Sequence, residues 1–238
     1  MFQKYRSLFW AASAVFLLFL AWTIYTPIPF TALKSLALLG TLILLVGVTL
    51  IFKTGKWLCL AVLSAVLMCA LWPAYKPDPT QLRARYLSSL VAYQGTPYVW
   101  GGENARGIDC SGLIRRAMMD ALFSQSWHDH NPALLREAVS IWWNDCSASA
   151  MKSGYNGHIV PLATTKSLNA LATTQLRSGD LAITQSGVHV LAFVGGKTWI
   201  QADPNLVNGG DKVIRTTAPS KSGWFNQPMQ ICRWTNLS

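Results

Sequence analysis

A helical membrane region followed by an α+β domain is the architecture this sequence predicts, and three observations carry it. Residues 1–73 hold three long apolar stretches and no acidic side chain. From Thr80 to Trp143 apolar residues recur at helical spacing, and from Leu181 to Trp234 they fall in short runs separated by turn residues. Helices first and antiparallel strands afterwards indicate an α+β fold with helices packed on a sheet.

The apolar stretches are Leu8–Tyr25, Ser35–Phe52 and Trp57–Trp72, each without charge. A bilayer core takes about 20 apolar residues of helix, and somewhat fewer suffice where aromatic residues anchor the ends. Trp22, Tyr25, Trp57 and Trp72 lie near such ends, so three transmembrane helices are expected, about 8–25, 35–52 and 57–72. Lys4 and Arg6 before the first would also suit a cleaved signal peptide. Against that, no small-residue cleavage pattern precedes Thr26-Pro27-Ile28-Pro29, and two further apolar stretches follow.

With three spans, Lys4 and Arg6 share a side with Lys53 and Lys56 in the turn between the second and third helices. Basic flanks mark the cytoplasmic side, and only Lys34 opposes this orientation. The domain beyond Trp72 is therefore expected on the periplasmic or extracytoplasmic face of an inner or plasma membrane, anchored by a multi-pass region.

The chain has 238 residues and a net charge of +10. Five basic residues before position 74 (Lys4, Arg6, Lys34, Lys53, Lys56) have no acidic counterpart, and the other fifteen face ten acidic residues, leaving the later part at +5. No basic run interleaved with aromatics accompanies this excess, so no nucleic-acid partner is expected. Anionic lipid or an anionic wall polymer suits the distribution better.

Residues 74–79, with Pro77 and Pro79, read as a stiff linker, since prolines two apart forbid a helix. Thr80 is the expected N-cap of a helix to Tyr93, with Leu82, Tyr86, Leu87, Leu90 and Val91 at helical spacing. A second helix is expected over Cys110–Leu122, and a third over Ala133–Trp143 after Asn131-Pro132. Ser147–Thr174 is polar and is read mainly as loop. Strands are expected at Leu181–Thr184, His189–Val194, Thr198–Ala202, Lys212–Thr216 and Gln230–Trp234, with Gly195-Gly196-Lys197 as a hairpin turn.

Within this frame one cysteine stands out. Cys110 follows the Gly-rich run Tyr98-Val99-Trp100-Gly101-Gly102 and opens a helix directly after Asp109, a plausible cap. Backbone N–H groups and the positive end of the helix dipole there favour a thiolate, and Ser111-Gly112 allow close approach of substrate. Cys59 and Cys69 in the third span are small apolar residues, while Cys146 and Cys232 either pair or are separately buried. Of four histidines, His128, His130 and His158 sit in polar, turn-like stretches and read as solvated. His189 instead begins an apolar strand after Gly187-Val188, where a rigid sheet edge suits a base. Gln201 or Asp203 on the next strand would accept a hydrogen bond from its other nitrogen.

The blocks Tyr98-Val99-Trp100-Gly101-Gly102, Asp109-Cys110-Ser111-Gly112-Leu113, Ser178-Gly179-Asp180-Leu181 and Gly187-Val188-His189-Val190, in that order, resemble the NlpC/P60 family of papain-like cysteine peptidases. The resemblance covers roughly Thr80 to Trp234. It implies peptidoglycan as partner and substrate, commonly the stem-peptide bond between γ-D-glutamate and a diamino acid. It puts the nucleophile on Cys110, the base on His189 and the third catalytic position, frequently histidine in the family, on Gln201. Tyr98, with Asp109 and Ser111 beside the nucleophile, falls on the substrate and oxyanion side, and neither metal nor organic cofactor is implied. The Cys110–His189 interval is longer than the family pattern, so an insertion is expected at about 123–155 within a catalytic domain spanning 80–238. Acyl transfer or thioester cleavage on lipid-linked acyl groups by the same pair is the alternative activity, and a catalytically idle wall-peptide or partner-binding module the alternative of another class.

Overall fold

Three antiparallel helices lead into the domain: α1 (Phe2–Tyr25), α2 (Thr31–Ile51) and α3 (Gly55–Leu71). The computed structural model describes residues 2–52, 55–73, 75–205 and 211–238. Lys53 of the expected basic turn and Ala74 of the expected linker lie outside these residues, as do the side chains of Lys4 and Arg6. Of the three expected spans, Ser7–Tyr25 (19 residues) and Thr31–Ile51 (21 residues) are long and apolar enough to cross a membrane. The expectation of three such helices is corrected on α3: its 17 residues rise about 25 Å, less than a hydrocarbon core of about 30 Å. Most apolar side chains of α1 and α2 are exposed, Leu18 at 72% and Leu50 at 79%, as suits a lipid-facing surface. The chain is membrane-associated.

The domain begins with α4 (Pro79–Ala92), whose N-cap is Asp78 rather than Thr80, its carboxylate accepting from Thr80 N at 2.8 Å. Pro79 can then take the first helical position, where its missing N–H costs nothing. A short ribbon of β1 (Glu103–Asn104) and β2 (Gly107–Ile108) feeds α5 (Cys110–Asp129). That helix outruns its expected end by two turns, because Gln125 and Ser126 are buried polar residues that periodicity of apolar side chains does not reveal. α6 (Pro132–Trp143), capped by Asn131, packs across it.

Six strands form one sheet in the order β3-β8-β4-β5-β6-β7, every pairing antiparallel. They are β3 (Ile159–Thr165), β4 (Leu181–Thr184), β5 (Val190–Gly195), β6 (Thr198–Asp203), β7 (Lys212–Thr217) and β8 (Met229–Trp234). The expected loop over 147–174 was wrong in part, since it holds α7 (Ala148–Lys152) and the edge strand β3. β3 is mostly exposed and carries a proline, so it lacks the alternation that betrays a half-buried strand.

The sheet is covered on both faces. Leu181, Ile183, Ala192 and Ile200 meet α4 and α5, while Leu191, Phe193, Trp199 and Ile231 meet Phe225 and Leu168. This explains why the strands read as unbroken apolar runs. At the turn before β4, Asp180 is almost wholly buried and receives Arg233 Nε at 2.6 Å and Nη2 at 2.8 Å, as well as Arg177 N at 2.8 Å. A carboxylate so placed is stable only while its partner stays. Arg233→Leu should therefore lower the domain's unfolding free energy by about 3–5 kcal/mol, read from urea denaturation of the full chain in detergent. A loss below about 1 kcal/mol would show that the pair is not a support of the fold.

Candidate active site

The start of α5 is built around one carboxylate. Asp109 Oδ1 accepts from Gly112 N at 2.6 Å and from the Ser111 hydroxyl at 2.9 Å, and Oδ2 accepts from Gly101 N at 2.8 Å. The cap thus ties the Gly-rich loop to the first turn of the helix. Gly112 is required for the same approach, since a Cβ there would lie 2.1 Å from the Gly102 carbonyl oxygen. Cys110, one residue after the cap, is held at the floor of a cleft of about 510 Å³.

Against the sulfur lies the segment that carries His189. Cys110 Sγ points at the Val188 carbonyl oxygen, 4.0 Å away, and the backbone N–H groups of Val190, Ser111 and Cys110 itself face it. No hydrogen bond joins Cys110 to His189 among the described residues. His189 is 1% exposed, and its Nε2 lies 2.7 Å from Gln201 Oε1. An Nε2–H donating to that amide oxygen leaves Nδ1 as the ring's lone-pair nitrogen.

Of the two expected orienting groups, the structure brings Gln201 to the imidazole. Asp203 accepts instead from Trp224 Nε1 at 3.1 Å and Asn205 N at 3.0 Å. Trp224 in turn stacks on His189, ring centroids 4.1 Å apart and planes 19° from parallel. Asp203 thus reaches the imidazole through the indole. Nothing in the sequence singled out Trp224, which sits in a 3₁₀ turn (Gly223–Asn226) far from every motif.

Electrostatics favours a neutral pair. Burial, and then the charge of Asp109, push the Cys110 thiol up to about 12 despite the facing N–H groups. Burial pulls His189 down to about 4, with Gln201 and Asp203 only partly opposing it. Burial thus opposes the thiolate that the cap and dipole at the helix start favour. Tyr98, also lining the cleft, is raised above its ordinary value by burial and then by Cys110, Asp109 and Asp203.

Behind the cleft runs a chain of charges the sequence did not betray. Arg115 Nη1 lies 2.8 Å from Glu103, and Nη2 lies 3.6 Å from Asp145. Asp145 also receives Lys34 Nζ of α2 at 2.5 Å. Burial pushes Glu103 up to about 7 even with Arg115 beside it. Ile28 and Pro29, between α1 and α2, line the cleft with Tyr98, Cys110 and Val188.

The remaining histidines differ. His158 is not solvated as expected, since its Nδ1 meets Glu137 at 2.7 Å and its side chain is 12% exposed. His128 stays at the surface beside Asp129, and no cluster of three or more metal-binding side chains occurs among the described residues. All five cysteines are free thiols, Cys146 and Cys232 included.

The NlpC/P60 family model matches residues 95–233, more than half of the chain. No curated protein gives a significant match. Similar solved structures include the NlpC/P60 domain of the peptidoglycan hydrolase SagA, at 22% identity and TM-score 0.36, over 63% of this chain and 97% of that one. The peptidoglycan hydrolase RipB of Mycobacterium tuberculosis matches at 16% identity and TM-score 0.39, over 68% and 69% respectively. An NLP/P60-family protein of Staphylococcus aureus, described as similar to lipoprotein, matches at 19% identity and TM-score 0.40, over 68% and 44%.

A neutral Cys110 can be tested directly. In the full chain, alkylation of Cys110 by iodoacetamide, followed by peptide mass mapping, should keep rising from pH 7 to beyond pH 10. A plateau already reached near pH 7 would mean a resting thiolate.

Proposed function

The chain belongs to the NlpC/P60 family and is a hydrolase of the cysteine-peptidase type, and on that footing we propose that it cleaves amide bonds in peptidoglycan stem peptides, of the γ-D-glutamyl-diamino acid kind, on the periplasmic or extracytoplasmic side of the inner or plasma membrane. The observation that supports this reading is Cys110 in the cleft with its sulfur 4.0 Å from the carbonyl of Val188, the residue directly before His189, whose ring is held by Gln201.

In the proposed reaction the amide carbonyl enters over Cys110. The thiol turns from the Val188 carbonyl towards His189 Nδ1, which accepts its proton as sulfur bonds to the carbonyl carbon. The backbone N–H of Cys110, with the Tyr98 hydroxyl nearby, stabilises the oxyanion. Collapse breaks the C–N bond, and the imidazolium returns the proton to the leaving amine. Water, deprotonated by His189, then hydrolyses the thioester, and the sulfur leaves as a thiol again. Gln201 holds the ring through Nε2, and Trp224, held by Asp203, supports its face. Asp109 and Ser111 act by positioning the sulfur. No metal or cofactor enters.

The domain division proposed is an anchor over 1–73, a linker over 74–79 and a catalytic domain over 80–238 with an insertion at about 123–155. The insertion is the platform for the anchor: Lys34 Nζ donates to the Trp142 carbonyl at 2.6 Å, and Arg136 donates to the carbonyls of Cys69 and Trp72. The last residues of α1, the first of α2 and the last of α3 all meet the domain, at Asn104, Asp145 and Arg136. The domain therefore sits at the face where α1 ends, opposite the N-terminus. α3, though short, returns the chain to that face alongside α2. The first turns of α1, which carry Lys4 and Arg6, and Lys56 at the start of α3 lie at the ends away from the domain, the face proposed as cytoplasmic, and Lys34, the opposing charge, is neutralised by Asp145.

Full-length protein in nanodiscs, incubated with purified peptidoglycan, should release free amines and muropeptides, and Cys110→Ala should release none. Equal product from the two would remove Cys110 as nucleophile. Gln201→Ala should lower kcat on the order of tenfold or more, and Asp203→Ala less, because only Gln201 bonds the ring. The reverse order would transfer the orienting role to Asp203.

A base must be neutral to accept a proton, so activity should fall on acidification only as pH approaches about 4, the value to which burial lowers His189. Gln201→Glu places a negative charge against the imidazole, favours its protonated form, and should move that acid limb upward. A limb that stays in place in the pH–rate profile would separate it from His189.

A further inference from the structure

We propose that the substrate peptide is presented on a membrane lipid, with its peptide head in the Cys110 cleft and its alkyl tail in a second cavity between the outer ends of α1 and α2. This deepens the hydrolase reading above and rests on it.

Two cavities meet at the junction of anchor and domain. The Cys110 cleft has Ile28 and Pro29 of the α1–α2 connection as one wall. The second, of about 210 Å³, runs from there along the helices past Thr23, Ile24, Leu33 and Ala37. Pro29 and Glu103 line both, so the two cavities adjoin. The first is lined by Asp109, Cys110, Ser111 and Arg115 among others. The second is a slot that offers Ile24, Leu33, Ala37 and Trp142 as apolar wall at the ends of the membrane-length helices, with Lys34, Glu103, Asn104 and Arg116 also lining it.

The junction is fixed. Glu103 N donates to the Pro27 carbonyl at 2.8 Å, and Asn104 Nδ2 donates to the Thr26 carbonyl at 2.8 Å. The Arg106 guanidinium lies over the Tyr25 ring, 3.6 Å from its centre. The loop that carries the cleft's Gly-rich wall is therefore bolted to the end of a membrane helix. Ile28 and Pro29 lie within about 15 Å of chain from the ends of both α1 and α2, which places the cleft mouth at the bilayer surface. Trp100 lines the same mouth with its indole 79% exposed, the position an interfacial tryptophan takes. A peptide already held in that surface reaches Cys110 without leaving it, and the slot takes the chain that holds it.

The test compares one stem peptide containing the scissile bond, free and N-palmitoylated, with full-length protein in nanodiscs. The expected result is at least tenfold higher kcat/KM for the palmitoylated peptide, from burial of a few methylenes. Partition into the disc raises that ratio for any protein, so slot-filling variants decide. Ala37→Trp, and independently Thr23→Phe from the opposite wall, should each cut the ratio of palmitoylated to free turnover at least fivefold. An unchanged ratio in whichever variant folds overturns the slot, leaving the tail in bulk lipid. Turnover of the free peptide with a wild-type ratio near one overturns lipid presentation while sparing the hydrolase reading. Turnover of neither peptide, equal to Cys110→Ala, overturns both.

Discussion

The Asp109 carboxylate is the constraint on which the rest of the site depends. It is the cap of α5, and the same two oxygens hold the Ser111 hydroxyl and the amide of Gly101. Helix start and Gly-rich loop are thereby one rigid body, and Cys110 has no freedom except rotation about its own side-chain bond. Gly112 lets that body close, because its bare Cα tolerates the Gly102 carbonyl. From there the loop leads through Gly102 into β1 and Glu103, and Glu103 leads through Arg115 and Asp145 to Lys34 in the membrane helices. A local capping interaction and a long-range docking interaction thus share one stretch of chain.

That docking is electrostatically unusual. Arg115 and Glu103 are each about 5% exposed in the side chain, and Lys34 is about as deeply covered. Buried charges in such a chain cost more to desolvate than a single pair returns, unless every member is matched. Here Arg115 has Glu103, Asp145, the Ile141 carbonyl and the Tyr155 hydroxyl around it. Matching of this kind sets geometry more than stability. It holds α2 against the platform formed by α6 and Asp145, and with it the α1–α2 connection against the cleft.

Much of the domain was legible because its signals are local. The cap at Asp109, the helix from Cys110 and the strand after His189 follow from short-range rules, and β4 came out with its observed ends. The alternation along Thr198–Asp203 put Ile200 towards the helices and Gln201 on the other face, where the imidazole lies. What stayed hidden depends on distant contacts. Trp224 stacks on His189 from a turn thirty-five positions later, and Lys34 reads only as a flanking charge that opposes the orientation until Asp145 is beside it. The edge strand β3 lacked a pattern because most of it is exposed and Pro161 interrupts it. The third membrane helix was overcounted as a full span because composition, not length, dominated the reading. The thiolate was inferred from the helix start alone, and the burial that opposes it is a property of the packed cleft.

Burial favours the uncharged forms of both Cys110 and His189. Separated charges in this dry space would need solvation the cleft does not supply, whereas a thiol and an imidazole need little. In the proposed reaction, proton transfer coincides with attack on the carbonyl, when the developing oxyanion can be met by the backbone N–H at the helix start and the imidazolium by Gln201 Oε1. In that proposed reaction the N–H groups facing the sulfur stabilise charge as it develops. In the proposed lipid-presented reaction, the α1–α2 connection that walls the Cys110 cleft suits a substrate delivered in a fixed orientation.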